Sequence, residues 1–200
     1  MDFNNIIGIV GPLASGKGVV TDYLIKNYSY TSFSLSSIVH EELTKRGITT
    51  FTRTTLQDIG DDLRKKEGDG VLAKRTIKQL KVESQQSKVR KIIIEGIRNP
   101  GEVDYLRTLP GFILIAVDAF QKVRFQRVIK RRKPWDPKDW KTFEKVDGRD
   151  SGDEKNTNGQ QVKKCMEMAD VQLRNNTDIP QFYEVIKKAL SSRHPLYTGR

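Results

Sequence analysis

The chain has few of the residues that build disulfides and zinc centres. Its 200 residues include one cysteine and two histidines, His40 and His194, which are far apart. An intrachain disulfide is therefore excluded, and a Cys/His zinc site is not expected. Cys165 shares a predicted helical face with Val162 and Ala169, so we expect it in the core rather than as a nucleophile.

Long apolar runs are also missing. None approaches the roughly 18 residues that a membrane helix requires. The first strand pattern begins almost at Met1, which leaves no room for a signal peptide. These observations predict a cytoplasmic protein without a membrane partner.

Acidic residues are also fewer than basic ones. The chain carries 36 Lys and Arg against 25 Asp and Glu, a formal net charge of +11. Such a field favours anionic partners, of which nucleotides, nucleic acid and an acidic membrane surface are the main classes. A solvated basic surface without a specific role remains the alternative. The 36% of hydrophobic residues suffices for one core, and the length suits one domain.

A glycine-rich loop at residues 11–18 is the main candidate for binding such an anion. It follows the apolar run 6–10 and precedes a helical pattern that contains Val19, Val20 and Leu24. The spacing Gly-x-x-x-x-Gly-Lys between a strand and a helix is that of a P-loop. Backbone N–H groups and the helix N-terminus would cradle a phosphate, and Lys17 would reach the outer phosphates of ATP. The residues predicted to bind ATP are Gly11, Ala14, Ser15, Gly16, Lys17, Gly18 and Val19.

Strand and helix patterns alternate along the remaining chain. The continuous apolar runs 91–95 and 112–118 are typical of strands buried on both faces of a parallel sheet. The predicted fold class is α/β, a three-layer P-loop NTPase fold with a five-stranded parallel sheet. We expect one domain over residues 1–200, with an acceptor-binding helical segment near 34–86 and a lid near 131–160. A polar turn at 85–89 and a polar tail at 191–200 complete the prediction.

Three arginines on one predicted helix are candidates for catalysis. Arg124, Arg127 and Arg131 are spaced i, i+3 and i+7, opposite the apolar Phe125 and Val128. If the apolar face is buried, all three guanidinium groups point outward, and their forks suit phosphate oxygens. A solvated basic face is the alternative, and nucleic-acid binding has weaker support because few aromatic residues accompany the arginines.

Further candidates follow the strand at 91–95. Glu95 ends that strand, where ligand-facing acids of such sheets lie, and could hold a magnesium-bound water. It could equally pair with Lys91 or Arg98. Arg98 is a candidate for binding an acceptor phosphate, and Arg64 is a weaker one.

Several of these stretches resemble the adenylate kinase and nucleoside monophosphate kinase group. The loop is similar in its Gly-Pro start and in carrying Gly18 where most P-loops have Ser or Thr. Residues 94–98 are similar to the acidic strand end, glycine, apolar residue and arginine of that group, and most similar to an archaeal adenylate-kinase-like branch. Residues 117–131 resemble its lid-entry helix, a layout shared by dephospho-coenzyme A kinases.

The resemblance also implies positions for acceptor binding. In the family, an acid and a phosphate-binding arginine lie on the helix after the second strand. Ser37 and His40 stand at those positions in this chain. The implied activity is magnesium-dependent transfer of the γ-phosphoryl group of ATP to a nucleoside monophosphate or a similar small phosphate ester. The alternatives are a nucleotide-binding regulatory or interaction module without kinase turnover, and a dephospho-coenzyme A kinase.

Overall fold

The computed structural model describes residues 5–83, 90–153 and 155–191. The predicted turn at 85–89, almost all of the predicted tail and His194 lie outside these ranges. In the described residues the predicted α/β architecture is confirmed. A five-stranded sheet lies between two layers of helices.

All strand pairings in the sheet are parallel, in the order β2-β3-β1-β4-β5. The strands are β1 Asn5–Val10, β2 Thr31–Ser34, β3 Lys91–Glu95, β4 Phe112–Asp118 and β5 Val171–Arg174. The strand that leads into the P-loop is therefore central. Since all carboxyl ends lie at one edge, the loops that follow β1, β2, β3 and β4 meet there.

The helices occupy the connections between strands. In chain order they are α1 Lys17–Tyr28, α2 Ser36–Lys45, α3 Arg53–Glu67, α4 Val71–Glu83, α5 Pro100–Arg107, α6 Gln121–Arg131, α7 Trp140–Ser151, α8 Val162–Glu167 and α9 Ile179–Ser191. Local sequence explains several starts. Thr52 caps α3 by accepting from the backbone N–H of Thr55, and Asn99 caps α5, whose first residue is Pro100.

The core has one layer on each face of the sheet. Ile7 and Ile9 of β1 pack with α1 and α9, whereas Ile6 and Val10 pack with the helices of the opposite face. This alternation follows from the period of two along a strand. Cys165 belongs to the same core layer as Ile6 and Val10 and is fully buried, so its prediction as a core residue is confirmed. Burial raises the pKa of its thiol.

The segment predicted as a lid contains the regular helix α7. Phe143 and Val146 of α7 are buried against Leu13 of the P-loop and Val128 of α6. Sequence analysis did not predict this helix, because the segment is rich in charged residues, glycine and proline. Within the described ranges, the structure contains no helix that is both long and apolar enough to cross a membrane.

Candidate active site

A cleft of about 650 Å³ lies at the carboxyl edge of the sheet. Its walls come from the P-loop and α1, from α2 and α3, from the loop after β3, and from α6 with the loop that follows it. This volume is typical of small-molecule sites. Residues 14–19 form one part of the lining, which we call the P-loop end. His40, Arg53, Arg98 and Trp135 belong to a second group of lining residues, which we call the second end.

The P-loop has backbone conformations that its sequence makes possible. Gly11 and Gly16 have φ of 154° and 103°, in the region that favours glycine, and Ala14 has φ of 59°. A Cβ at Gly16 would lie 1.9 Å from Nδ2 of Asn175, which donates to the carbonyl oxygen of Ser15 at 3.0 Å. Asn175 therefore fixes the loop from the end of β5, and helix α1 begins at Lys17 with its N-terminus at the cleft.

Lys17 lies in the centre of the P-loop. Its Nζ donates to the carbonyl oxygens of Gly11 at 2.8 Å and Pro12 at 2.9 Å. Burial, with the positive charges of Arg98 and Arg53, lowers the pKa of Lys17 to about 7. An amine in this environment gains from an arriving anion, because the anion would restore its usual preference for the charged form.

Glu95 lies at the end of β3 and lines the cleft. It accepts hydrogen bonds from Oγ1 of Thr21 at 2.5 Å and Oγ of Ser32 at 3.4 Å. Within the described residues, no group of three or more His, Cys, Asp and Glu side chains could hold a metal by itself. Magnesium takes few protein oxygens beside phosphates and waters, and Glu95 is the carboxylate of the cleft that would hold such a water shell.

Arg127 and Arg131 line the cleft from α6. Nη1 of Arg127 donates to the carbonyl oxygen of Ser15 at 3.2 Å, and Nη2 donates to that of Asn175 at 3.0 Å. Arg131 pairs with Asp136, with Nε at 2.5 Å and Nη2 at 2.9 Å from its carboxylate oxygens. Arg127 is thus part of the P-loop framework, whereas Arg131 is held by the loop after α6.

Arg124 does not line the cleft with Arg127 and Arg131, and the prediction that its guanidinium points outward is wrong. Its guanidinium is buried and pairs with both carboxylate oxygens of Asp147 in α7. Nε and Nη1 also donate to backbone oxygens of Ala119 and Leu13. The periodicity placed the three arginines on one face, but α7 covers the first turn of α6. Arg124 therefore joins α6 to α7 and does not line the cleft.

Arg64 borders the cleft, but its guanidinium is already paired. The side chain is 1% exposed, and Nε and Nη2 both donate to Oε1 of Glu102, at 3.0 and 2.8 Å. Asp61 lies 3.4 Å from Nη1. A buried arginine paired in this way cannot leave its partner cheaply. Arg64 is therefore a structural residue rather than an acceptor ligand.

Ser37 and His40, the two positions taken from the resemblance, differ in their surroundings. Ser37 is exposed, its Oγ donates to the backbone oxygen of Ser34 at 2.7 Å, and it does not line the cleft. Its neighbour Ser36 does line the cleft, so the structure does not support Ser37 as an acceptor-binding residue. His40 lines the second end, where its ring packs 5.5 Å from that of Phe51 and 6.0 Å from that of Trp135.

Arg98 lies in the second end, as the strand-end position predicted. Its Nη1 is 2.8 Å from Oδ2 of Asp150 and 3.3 Å from Oε1 of Gln160. Asp150 is fully buried and also accepts from Nε2 of Gln57 at 2.6 Å. Burial favours the neutral acid, but Arg98 and Arg53 outweigh this effect and hold the pKa of Asp150 below its usual value.

Sequence analysis missed Arg53 and Asp150. It considered Trp135 only as an aromatic companion of the arginines, and Asn175 only through the resemblance of residues 169–176 to the last strand and base-side loop of the kinases. Arg53 had a local signal, because it follows the N-cap residue Thr52 and begins a helix. Asp150 and Trp135 lie in the charged segment in which sequence analysis did not predict α7. Asn175 had only its position after the last strand. Their roles depend on contacts between distant parts of the chain, which periodicity does not report.

Solved structures with the same fold include kinases. The structure of TT1252 from Thermus thermophilus has a TM-score of 0.61, covering 96% of this chain and 100% of that chain at 18% identity. A gluconokinase from Sinorhizobium meliloti has a TM-score of 0.54, 96% and 94% coverage and 13% identity. A shikimate kinase from Acinetobacter baumannii has a TM-score of 0.54, 94% and 91% coverage and 16% identity. At such identities the likeness shows a P-loop kinase-like fold and nothing finer.

Sequence relatives fall in one family. No family model matches the chain. The UPF0200/UPF0201 protein of Archaeoglobus fulgidus is 31% identical over 92% of this chain, which spans only 54% of that relative. The UPF0200 protein of Thermococcus sibiricus is 34% identical over 71% of this chain and 74% of its own length. The UPF0200 protein PH1008 of Pyrococcus horikoshii is 30% identical over 93% of this chain and 96% of its own length. By these matches, this chain belongs to the UPF0200 family.

Proposed function

We propose that the protein transfers the γ-phosphoryl group of ATP to a nucleoside monophosphate or a similar small phosphate ester. The observation that carries the proposal is that one cleft is lined both by a P-loop and by additional arginines. A protein that only binds ATP has no need of the second set of cations. Phosphoryl transfer between two phosphorylated substrates requires both.

Several groups that line the cleft have a role in such a transfer. Lys17 and the N-terminus of α1 would bind the outer phosphates of ATP. Magnesium would neutralise charge on the phosphate oxygens while Glu95 holds its waters. Arg131 would meet the negative charge that the moving phosphoryl group spreads over its oxygens.

The acids of the cleft favour a phosphate acceptor over a hydroxyl acceptor. Among the described residues that line it, the acidic ones are Asp22 and Glu95, both beside the P-loop end. A hydroxyl acceptor, as in dephospho-coenzyme A kinase, profits from a base that removes its proton. A phosphate oxygen is already anionic and requires none. The arginines of the second end suit a phosphate monoester, whereas a hydroxyl acceptor would depend on His40 as its base.

The test is a coupled assay of ADP release over the common nucleoside monophosphates and dephospho-coenzyme A. We expect turnover with at least one monophosphate, and none in the Lys17→Ala variant. Thermal unfolding with ATP provides the matched binding measurement. The ATP-induced rise in Tm should shrink in Lys17→Ala, while the Tm without ligand stays near wild type. ATP binding without turnover on any acceptor would instead support a nucleotide-binding module.

A further inference from the structure

Arg53 is the first residue of α3 and lines the second end of the cleft. Its side chain is 16% exposed, and the nearest carboxylate oxygen, Oδ2 of Asp150, is 3.9 Å from Nη2. Within the described part of the chain, its guanidinium makes no hydrogen bond. Burial lowers the pKa of Arg53 to about 10, so the group remains charged at neutral pH.

The other buried arginines of the chain show how unusual this is. Arg64 gives two hydrogen bonds to Glu102, and Arg124 binds both oxygens of Asp147. Each has a carboxylate of its own. A guanidinium withdrawn from water needs such partners, since leaving its donors unused is costly. Arg53 has given up most of its water without gaining a hydrogen-bonded partner.

Arg98 faces the same carboxylate from the loop after β3. Its Nη1 makes the contacts with Asp150 and Gln160, and its Nε and Nη2 bond to none of the described residues. Two guanidinium groups therefore share one carboxylate. Arg131 and its partner Asp136 also act on Arg53, with opposite signs, so the balance around Arg53 stays positive. The fields of Arg53 and Arg98 reach the P-loop, where they contribute to the lowered pKa of Lys17. A bound anion would balance this charge.

We propose that Arg53 and Arg98 together bind the anionic group of the acceptor, with Asp150 holding the two guanidinium groups in place from behind. The identification of this anion with the acceptor rests on the proposed function, whereas the anion site itself does not. The chemistry fits a phosphate monoester or a carboxylate, either of which accepts two forked donors.

His40, which the resemblance placed at the phosphate, has a different part. Its ring packs with those of Phe51 and Trp135 in a three-membered cluster, with centroids 5.5, 6.0 and 5.7 Å apart. Burial and the charges of Arg53 and Lys133 lower its pKa, so the imidazole is neutral at neutral pH. Arg53, thirteen residues further along the chain, supplies a permanent positive charge that His40 does not.

The kinetic test compares Arg53→Gln with Arg149→Gln, using the acceptor found in the screen. Arg149 lies beside Asp150 in α7, but it pairs with Asp58 and Asp61 and does not line the cleft. Losing hydrogen bonds to a charged group is expected to raise KM for the acceptor about 10- to 100-fold in Arg53→Gln. KM for ATP should stay within about twofold, and Arg149→Gln should match wild type.

Calorimetry with inorganic phosphate tests the site without requiring turnover. A saturating non-hydrolysable ATP analogue fills the P-loop, so that the phosphate titration measures binding at the second end. We expect at least about tenfold weaker phosphate binding in Arg53→Gln than in wild type and Arg149→Gln. Arg53→Lys, which keeps the charge but loses the fork, should lie between them, and circular dichroism confirms that each variant is folded. A parallel titration with acetate distinguishes a carboxylate site from a phosphate site.

The outcomes separate this inference from the proposed function. Unchanged acceptor KM and unchanged anion binding in Arg53→Gln would overturn the inference while leaving kinase activity intact. Anion binding that is weakened only in the Arg53 variants would support the site even if no acceptor is ever phosphorylated. If neither phosphate nor acetate binds wild type with the P-loop filled, the site does not exist.

Discussion

Nη1 of Arg98 lies 2.8 Å from Oδ2 of Asp150, and this ion pair connects the loop after β3 to helix α7. A second buried pair, Arg124 with Asp147, connects α6 to the same helix one turn earlier. The two pairs have similar burial but different surroundings, since Arg98 lines the cleft and Arg124 does not. The chain thus provides a matched comparison between an ion pair at the site and one outside it.

Asp150→Asn and Asp147→Asn should both lower the free energy of unfolding, by about 3 kcal/mol each, because each leaves a buried arginine without its charge partner. Urea unfolding measures this. Asp150→Asn should also raise KM for the acceptor about tenfold, as the two guanidinium groups lose their common support. Equal changes of KM in the two variants would show that stability, rather than position, underlies the effect.

ATP binding should take up a proton through Lys17. The free protein has a Lys17 pKa of about 7, so at pH 8 the amine is mostly neutral. The triphosphate favours the charged form and raises this pKa. Calorimetry at pH 8 in two buffers of different ionisation enthalpy should therefore report an uptake close to one proton, which Lys17→Ala lacks. At pH 6 wild type and variant should agree. An identical proton balance in both proteins at pH 8 would contradict the assignment.

The same shift sets the sign of a pH effect on stability. The pKa of Lys17 falls from 10.5 in the unfolded chain to about 7 in the folded one. Between these values the unfolded chain binds more protons, so the contribution of Lys17 to the free energy of unfolding rises with pH. Below about pH 7 Lys17 is charged in both states, so its full unfavourable contribution to the free energy of unfolding remains. Urea unfolding from pH 7 to 10 should show a steeper rise for wild type than for Lys17→Ala.

Arg131 and Arg127 should have different kinetic signatures. Arg131→Ala should lower kcat by roughly two to three decades, because its guanidinium would meet charge that develops only during transfer. Arg127→Ala should also raise KM for ATP, since Arg127 holds the backbone of Ser15 and Asn175. Lys130→Ala, an exposed position of the same helix, is the control. Wild-type turnover in Arg131→Ala on an established acceptor would exclude this role.

The lid remains a prediction that limited proteolysis can test. Helix α7 packs through Phe143, so the tryptic sites inside it should resist cleavage. Cleavage is expected first at Lys138 and Lys155, which flank the helix. ATP with the acceptor should slow both cuts if the segment closes over the phosphates. Equal rates with and without ligands would argue against closure.

Local patterns predicted the fold and the P-loop. They failed for side chains whose partners lie far away in the sequence. The apolar runs of β1, β3 and β4 and the glycine spacing are readable because their cause lies within a few residues. Arg124 and Arg64 had the appearance of phosphate ligands. Their partners, Asp147 and Glu102, are 23 and 38 residues away, and no periodicity connects them. Arg53 shows the converse, since its lack of a hydrogen-bonded carboxylate among the described residues appears only after the chain has folded.

The strand order has a consequence for how this fold can change. Helices α2, α3 and α4 form one excursion between β2 and β3, which are neighbours at the edge of the sheet. The excursion leaves β2 at the carboxyl edge, where the backbone N–H of Leu35 donates to the oxygen of Glu95 at 2.8 Å, and it enters β3 at the opposite edge, at Lys91. Its helices contribute Leu43, Leu63 and Ile77 to the same core layer as Ile6 and Val10 of β1. An exchange of this wall of the cleft must therefore supply a matching apolar face for the central strand, so the strand that leads into the P-loop and the excursion are expected to change together.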